Sequence, residues 1–210
     1  MRIIMLGAPG AGKGTQAERL SRLLSIPMLT MSHVLKSVVS GTSALGEQIR
    51  AVMARGDLAP DDLIWQCLRD EIKRAKYEQG VIFDGVPRTL GQFDRLVADR
   101  MIVDKIFVLS VRDEVLAHRL TGRRMDPVTE RVYHVDALPE DMTDAQKSRL
   151  VMRADDAPDV VVKRLGIYHQ TTAPIIQAFK DRAQYKNAVV ELDASLDKDT
   201  VWDAIKACVS

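Results

Sequence analysis

The run Gly7-Ala8-Pro9-Gly10-Ala11-Gly12-Lys13-Gly14-Thr15 follows directly on the apolar stretch Arg2-Ile3-Ile4-Met5-Leu6. That order, a buried strand feeding a glycine-rich loop, constrains the fold more than any other feature of the chain. Glycines permit a tight turn whose successive backbone N–H groups point inward. A helix starting at the end of the loop adds its positive N-terminal end, and Lys13 adds a mobile charge. Three effects converge on one anion, so the segment is built to hold a polyphosphate.

Composition narrows the classes further. With 210 residues and 46% hydrophobic content, the chain can bury a sizeable core, and one domain with insertions is expected rather than two independent ones. Thirty basic residues against twenty-nine acidic ones leave no global field to recruit nucleic acid or an anionic membrane, so phosphate affinity has to be local. No apolar run approaches spanning length. Because Arg2 already belongs to the first predicted strand, no cleaved leader is expected and the cytoplasm is the expected location. Cys67 and Cys208 lack metal-ligand or redox spacing and read as small apolar residues of a reducing compartment. A monomer is the default expectation.

Short apolar runs alternate with helical patterns, which argues for a five-stranded parallel sheet flanked by helices in an α/β fold. The predicted strands are 2–6, 27–30, 81–84, 105–111 and 189–193. Leu63, Ile64, Cys67, Leu68 and Ile72 form one helical stripe after Pro60-Asp61-Asp62, and Leu90, Phe93, Leu96 and Val97 form another. Two stretches break the alternation. Residues 31–60 hold two short helical patterns punctuated by Gly41, Gly46 and Gly56, and residues 122–158 are polar and weak in periodicity. Insertions of this kind in α/β domains are usually lids or binding loops.

Two further signatures carry chemistry. Asp84-Gly85-Val86-Pro87-Arg88 ends the strand Val81-Ile82-Phe83. Ligands of an open parallel sheet collect at the carboxyl ends of strands, so Asp84 should share a crevice with the first loop. A carboxylate there can hold magnesium or its water shell, and Arg88 can fork onto a phosphate. Arginines then spread over Arg119, Arg123, Arg124, Arg131, Arg153 and Arg164. Arg119 and Arg123 lie four apart, as on one helix face, and Arg164 precedes Tyr168-His169 on a long predicted helix.

The loop differs from its commonest form, where Ser or Thr directly follows the lysine; here Gly14 intervenes before Thr15. In this it resembles the G-x-P-G-x-G-K-G-T loop of nucleoside monophosphate kinases. With Asp84 to Arg88 (Val86 replacing the usual Phe), Gln92, Gly122-Arg123-Arg124, Val132-Tyr133-His134, Arg153 with Asp155-Asp156, and Lys163-Arg164-Leu165 with Tyr168-His169, the chain resembles the long-lid adenylate kinases over nearly all its length.

The resemblance implies a P-loop nucleoside kinase fold with core segments 1–29, 60–121 and 159–210, an acceptor-binding insertion at 30–59 and a lid at 122–158. It implies reversible transfer of the terminal phosphoryl group of ATP to AMP, with Mg2+ as cofactor. Lys13, Asp84, Arg88, Arg123, Arg153 and Arg164 would be catalytic, and no catalytic base is expected, because an acceptor phosphate is already an anionic nucleophile. Gly10, Ala11, Gly12, Lys13, Gly14, Thr15, Arg119, Arg123, Val132, Tyr133 and Leu196 would bind ATP. Met31, Lys36, Asp57, Leu58, Ala59, Gly85, Val86, Pro87, Arg88, Gln92, Arg153 and Arg164 would bind AMP. Magnesium would sit by its water shell near Thr15 and Asp84.

Some relatives staple the lid with zinc on paired cysteines. Here no cysteine lies between residues 68 and 207, so no thiolate site and no structural zinc are expected, and Asp126, Thr129 and Tyr133 are candidate hydrogen-bonding substitutes. Departures concentrate in the acceptor insertion, where relatives usually read Ser-Thr-Gly-Asp-Met-Leu-Arg and this chain reads Thr30-Met31-Ser32-His33-Val34-Leu35-Lys36. Met31 loses a hydroxyl, Lys36 keeps a charge but loses a planar fork, and His33 cannot act as an anion near magnesium. These changes leave two alternatives open: a UMP/CMP or broad-specificity nucleoside monophosphate kinase, and a catalytically weak nucleotide-binding protein.

Overall fold

A computed structural model describes residues 1–54, 60–129 and 131–209. In chain order the elements are β1 (Arg2–Gly7), α1 (Lys13–Leu24), β2 (Met28–Thr30), α2 (Met31–Ser40), α3 (Ala44–Ala54), α4 (Asp61–Ile72), β3 (Val81–Asp84), α5 (Leu90–Ala98), β4 (Lys105–Ser110) and α6 (Asp113–Thr121). A short hairpin β5 (Arg123–Met125) and β6 (Val132–His134) follows, then α7 (Asp144–Ser148), α8 (Pro158–Ile167), α9 (Ala173–Asp181), β7 (Val189–Asp193) and α10 (Lys198–Ala207).

The main sheet has the order β2-β3-β1-β4-β7 and is parallel throughout. Its strands are apolar at nearly every position because helices cover both faces. Ile4 and Leu6 turn to one face with Phe83, Phe93 and Phe179, while Ile3 and Met5 turn to the other with Ile82, Phe107 and Leu20. Phe93 and Phe179 meet edge-on with centroids 4.9 Å apart. Cys67 is buried in the first layer, and desolvation, followed by the nearby Asp70 carboxylate, pushes its thiol up to about 11. It behaves as a small apolar residue, as expected.

Topology places the site. After β1 the chain moves to one side to form β2 and β3, then crosses β1 to lay down β4 and β7, so the loop after β1 opens at a switch point. Register brings Met5 opposite Asp84 and Gly7 opposite Leu109, aligning the carboxyl ends of three strands.

All five predicted strands form, with bounds shifted by a residue at several ends. Other expectations are corrected. Gly46 does not interrupt a helix but lies inside α3; Gly56 lies outside the described residues. Leu90 is 47% exposed because it opens α5, ahead of the buried Phe93 and Leu96. Arg119 and Arg123 do not share a helix face: α6 ends at Thr121, Gly122 caps it, and Arg123 begins β5. The helix carrying Arg164 gives way at Tyr168–Thr172 to a π-helical turn, with Ala173 N–H donating to Tyr168 O. Pro174 in the next turn lacks the N–H that a regular continuation would use. The region 122–158 is not merely irregular, since β5 and β6 pair antiparallel from Arg123–His134 to Met125–Val132. No helix among the described residues is long and apolar enough to cross a membrane.

Candidate functional site

The loop after β1 adopts the backbone its glycines allow. Gly12, the N-cap of α1, has φ +91°, a left-handed conformation that a side chain would strain. No side chain caps α1, so the first-turn N–H groups of this helix stay available to an anion. Lys13 lies just behind, its Nζ donating to Gly7 O (2.8 Å) and Ala8 O (2.9 Å). Burial brings its pKa down from 10.5 to about 8; Asp84 opposes this, while Arg88, Arg164 and Arg123 add to it. Those four residues therefore all lie within electrostatic reach of Lys13.

Asp84 closes β3 at the same strand ends. Burial pushes its carboxyl above the usual range, against the pull of Lys13 and Arg88. A Cβ placed on Gly14 would lie 3.6 Å from Asp84 Oδ2, so the carboxylate adjoins the start of α1. The surrounding cleft holds about 1280 Å³ and is lined by eight lysine or arginine side chains against three carboxylates. In a chain of net charge +1, that is a strongly localised excess.

Three of the cleft arginines are set by a pair of aspartates from the short turn Ala154–Asp156. Arg123 donates to fully buried Asp156 through Nε (2.7 Å) and Nη2 (2.6 Å), a bidentate pair. Arg164 Nη1 reaches the same carboxylate at 3.1 Å and also donates to Asp155 O. Arg153 Nε lies 3.2 Å from Asp155 Oδ1. Guanidinium groups from β5, the turn and α8 are thereby held side by side, each with part of its fork still free of these carboxylates. Asp156 stood in the sequence only as part of a motif. Its role is invisible there, because nothing in a linear pattern tells a buried anchor from an exposed aspartate.

Of the residues expected at the ATP side, Gly10, Gly12, Lys13, Gly14, Thr15, Arg119, Arg123, Val132 and Tyr133 line the cleft. Ala11 does not; it is buried beneath the loop. Leu196 lies half exposed outside the cleft, although Arg119 donates to the neighbouring Ala194 O (2.8 Å) and Ser195 O (3.3 Å). Arg131, one of the spread arginines, also lines it, as does Gln146, which was not singled out.

Of the expected AMP residues, Arg88, Arg153 and Arg164 line this cleft. Met31 is 5% exposed and packs into the core layer, while Lys36 and His33 are exposed on α2. Val86 and Pro87 are buried, and Gly85 O accepts from Arg88 Nε at 2.8 Å. Both ends of the Gln92 amide are engaged: Nε2 donates to Asp61 Oδ1 (2.8 Å), and Oε1 accepts from Arg88 N–H (2.8 Å). Asp57, Leu58 and Ala59 lie outside the described residues. Thr30, opposite Asp84 in register, keeps a buried Oγ1 with no partner among the described residues. Such an orphan at a strand end beside the cleft invites a ligand or water.

The hairpin segment is tied by side chains rather than by thiolates. Asp126 accepts from Arg149 Nε (2.9 Å) and Nη2 (2.5 Å) and from Val128 N–H (2.9 Å). Arg149, then Val128 and Thr129, hold its carboxyl far below the usual range. Asp126 and Thr129 thus take part, Tyr133 instead lines the cleft, and Arg149 is the partner that sequence reasoning missed.

The comparison with known families agrees with this geometry. The family model described as Adenylate kinase matches residues 5–184, a span that takes in the glycine loop, Asp84, Arg88 and the Asp156-anchored arginines. The chain belongs to the adenylate kinase family of nucleotide phosphotransferases.

Proposed function

We propose that the protein transfers the terminal phosphoryl group of ATP reversibly to AMP, with magnesium, giving two ADP. The observation that carries this reading is the convergence in one cleft of an uncapped helix start, Lys13, and Arg88, Arg123, Arg153 and Arg164 from four separate segments. Two polyanions facing each other need that ring of fixed cations, and phosphoryl transfer asks little else of a protein.

The residues present fit magnesium. Asp84 is a largely buried carboxylate beside Gly14, and Thr15 lines the same space; an anion and a hydroxyl suit a hard cation that keeps its water shell. When bound, the ion offsets phosphate charge. The chain does the positioning. Lys13 would exchange its loop carbonyls for donor phosphate oxygens, Arg123 and Arg164 would present the free parts of their forks to the transferring group, and Arg88 would grip the acceptor phosphate. Residues 122–158 would act as a lid over a core of 1–29, 60–121 and 159–210, with 30–59 holding the acceptor. Closing Val132 and Tyr133 over the cleft would exclude water, the competing nucleophile.

A matrix of nucleoside triphosphates against monophosphates, followed by ADP formation, tests the reading. ATP with AMP should be the best pair, and two adenosines joined by five phosphates should inhibit. Failure of that mimic to bind would remove the two-nucleotide cleft. A broad-specificity kinase is the second reading, favoured by the apolar, core-packed Met31 and by Lys36. Accordingly, selection of AMP over other monophosphates should be loose. Lys36→Arg, which restores a planar fork, should lower the KM for AMP roughly tenfold; an unchanged KM would clear that lysine of blame.

The depressed pKa of Lys13 has a sign that kinetics can read. Below about 8 the amine is charged and binds phosphate; above it, the free protein holds it neutral. Its buried charge costs the free protein stability, a cost relieved as pH climbs from about 8 toward 10.5. Apparent kcat/KM for ATP should therefore decline above pH 8 toward a limiting slope of about tenfold per unit. A flat profile across that range would contradict this assignment.

A further inference from the structure

Outside the cleft, two histidines and an aspartate meet where α6 passes into the hairpin. His118 lies on the last turns of α6, His134 ends β6, and Asp136 sits in the following turn Val135–Ala137. His118 Nε2 is 3.1 Å from Asp136 Oδ2, and His134 Nδ1 is 3.6 Å from the same oxygen. The two imidazoles lie with centroids 5.1 Å apart, and the three ligand atoms all fall within 4.8 Å of one another. We propose that His118, His134 and Asp136 form a binding site for a late first-row divalent cation such as Zn2+, joining α6 to the base of the hairpin.

The hydrogen bonds set the tautomer of His134. His134 Nδ1 accepts from Asp136 N–H at 3.2 Å, so its ring proton resides on Nε2, which then donates to His118 O at 3.3 Å. A ring N–H on a backbone carbonyl is the arrangement that fixes the tautomer of a metal-bound histidine, and it puts the lone pair on the other nitrogen. The single Nδ1 lone pair receives the Asp136 N–H, so a cation would ligate His134 by displacing that long contact. Gly122 makes the approach possible, since a Cβ there would lie 2.2 Å from His134 Nε2.

The donor set selects the ion. Two imidazoles and a carboxylate suit zinc, cobalt or nickel, whereas magnesium prefers an all-oxygen octahedron, so the cation of the phosphoryl cleft would not compete here. Ligand atoms of a tetrahedral zinc site stand about 3.3 Å apart, so small rotations of the exposed His118 and Asp136 side chains would complete the set, with water in the fourth position. Occupied, the site would fasten the hairpin to the helix across Gly122, at a place distinct from the Asp126–Arg149 tie.

The test uses full-length protein stripped with chelator and kept free of nucleotide. Co2+ titration should reach one equivalent with visible absorption of a tetrahedral nitrogen–oxygen site. Zn2+ should abolish that spectrum, excess Mg2+ should leave it intact, and Zn2+ should raise the melting temperature. His118→Ala and Asp136→Asn, both changes of exposed side chains, should each weaken Zn2+ binding by at least about tenfold and remove the added thermal stability. Absence of one-equivalent binding to the unaltered protein, or undiminished binding by both variants, would overturn the site.

Discussion

Arg123→Ala should lower kcat by about three orders of magnitude, the largest kinetic effect expected of any single arginine in the cleft. Arg123 spends Nε and Nη2 on Asp156, leaving Nη1 without a protein acceptor among the described residues. A guanidinium so fixed meets charge developing on the transferring group without first having to reorganise. Alanine removes both the charge and its alignment. Arg123→Lys separates the two: the charge remains, the bidentate contact does not, and most of the loss should persist. Steady-state kinetics with both nucleotides saturating reads the effect, and a kcat within tenfold of the parent protein would place Arg123 outside the reacting centre.

Asp156→Ala should harm both stability and rate. Its carboxylate is fully buried and accepts from Arg123 and Arg164. Removing it strands two partly buried cations in a cleft already rich in positive charge, a change worth about 3–5 kcal/mol of stability when a buried pair loses one member. Denaturant midpoints measure this. Asp156 touches no nucleotide in the proposed arrangement, so it is a positioning residue, and the kinetic cost comes from guanidinium groups that drift. About a hundredfold in kcat is the expected scale for such misplacement. Asp156→Asn keeps the shape and one acceptor oxygen and should regain much of the stability but less of the rate. Equal recovery of both would mean that Asp156 only holds the fold together.

Much of this architecture was legible because its signals are local. A strand buried on both faces has to be apolar along its length, so Val81 to Phe83 and Ile106 to Leu109 announce themselves. The glycine loop is equally plain, since left-handed backbone at Gly10 and Gly12 admits few other residues. The hairpin was not legible. Strands of three residues carry too little periodicity to register, and the pairing of Arg123 with His134 joins positions with no shared local pattern. Burial of Asp156, the tie from Asp126 to Arg149 and the engagement of both ends of the Gln92 amide were likewise unreadable. Each depends on which segments fold back on one another.

The amino-acid order alone thus determined the layer of parallel strands, the phosphate loop and the supply of arginines. These follow from hydrophobic period and backbone sterics, which act over a few residues. Only the folded chain decided which arginines share an anchor, where the cleft opens and which polar groups are already satisfied. Those outcomes rest on contacts between residues such as Arg123 and Asp156, thirty-three positions apart, and such contacts exist only once the sheet order and helix packing have brought the segments together.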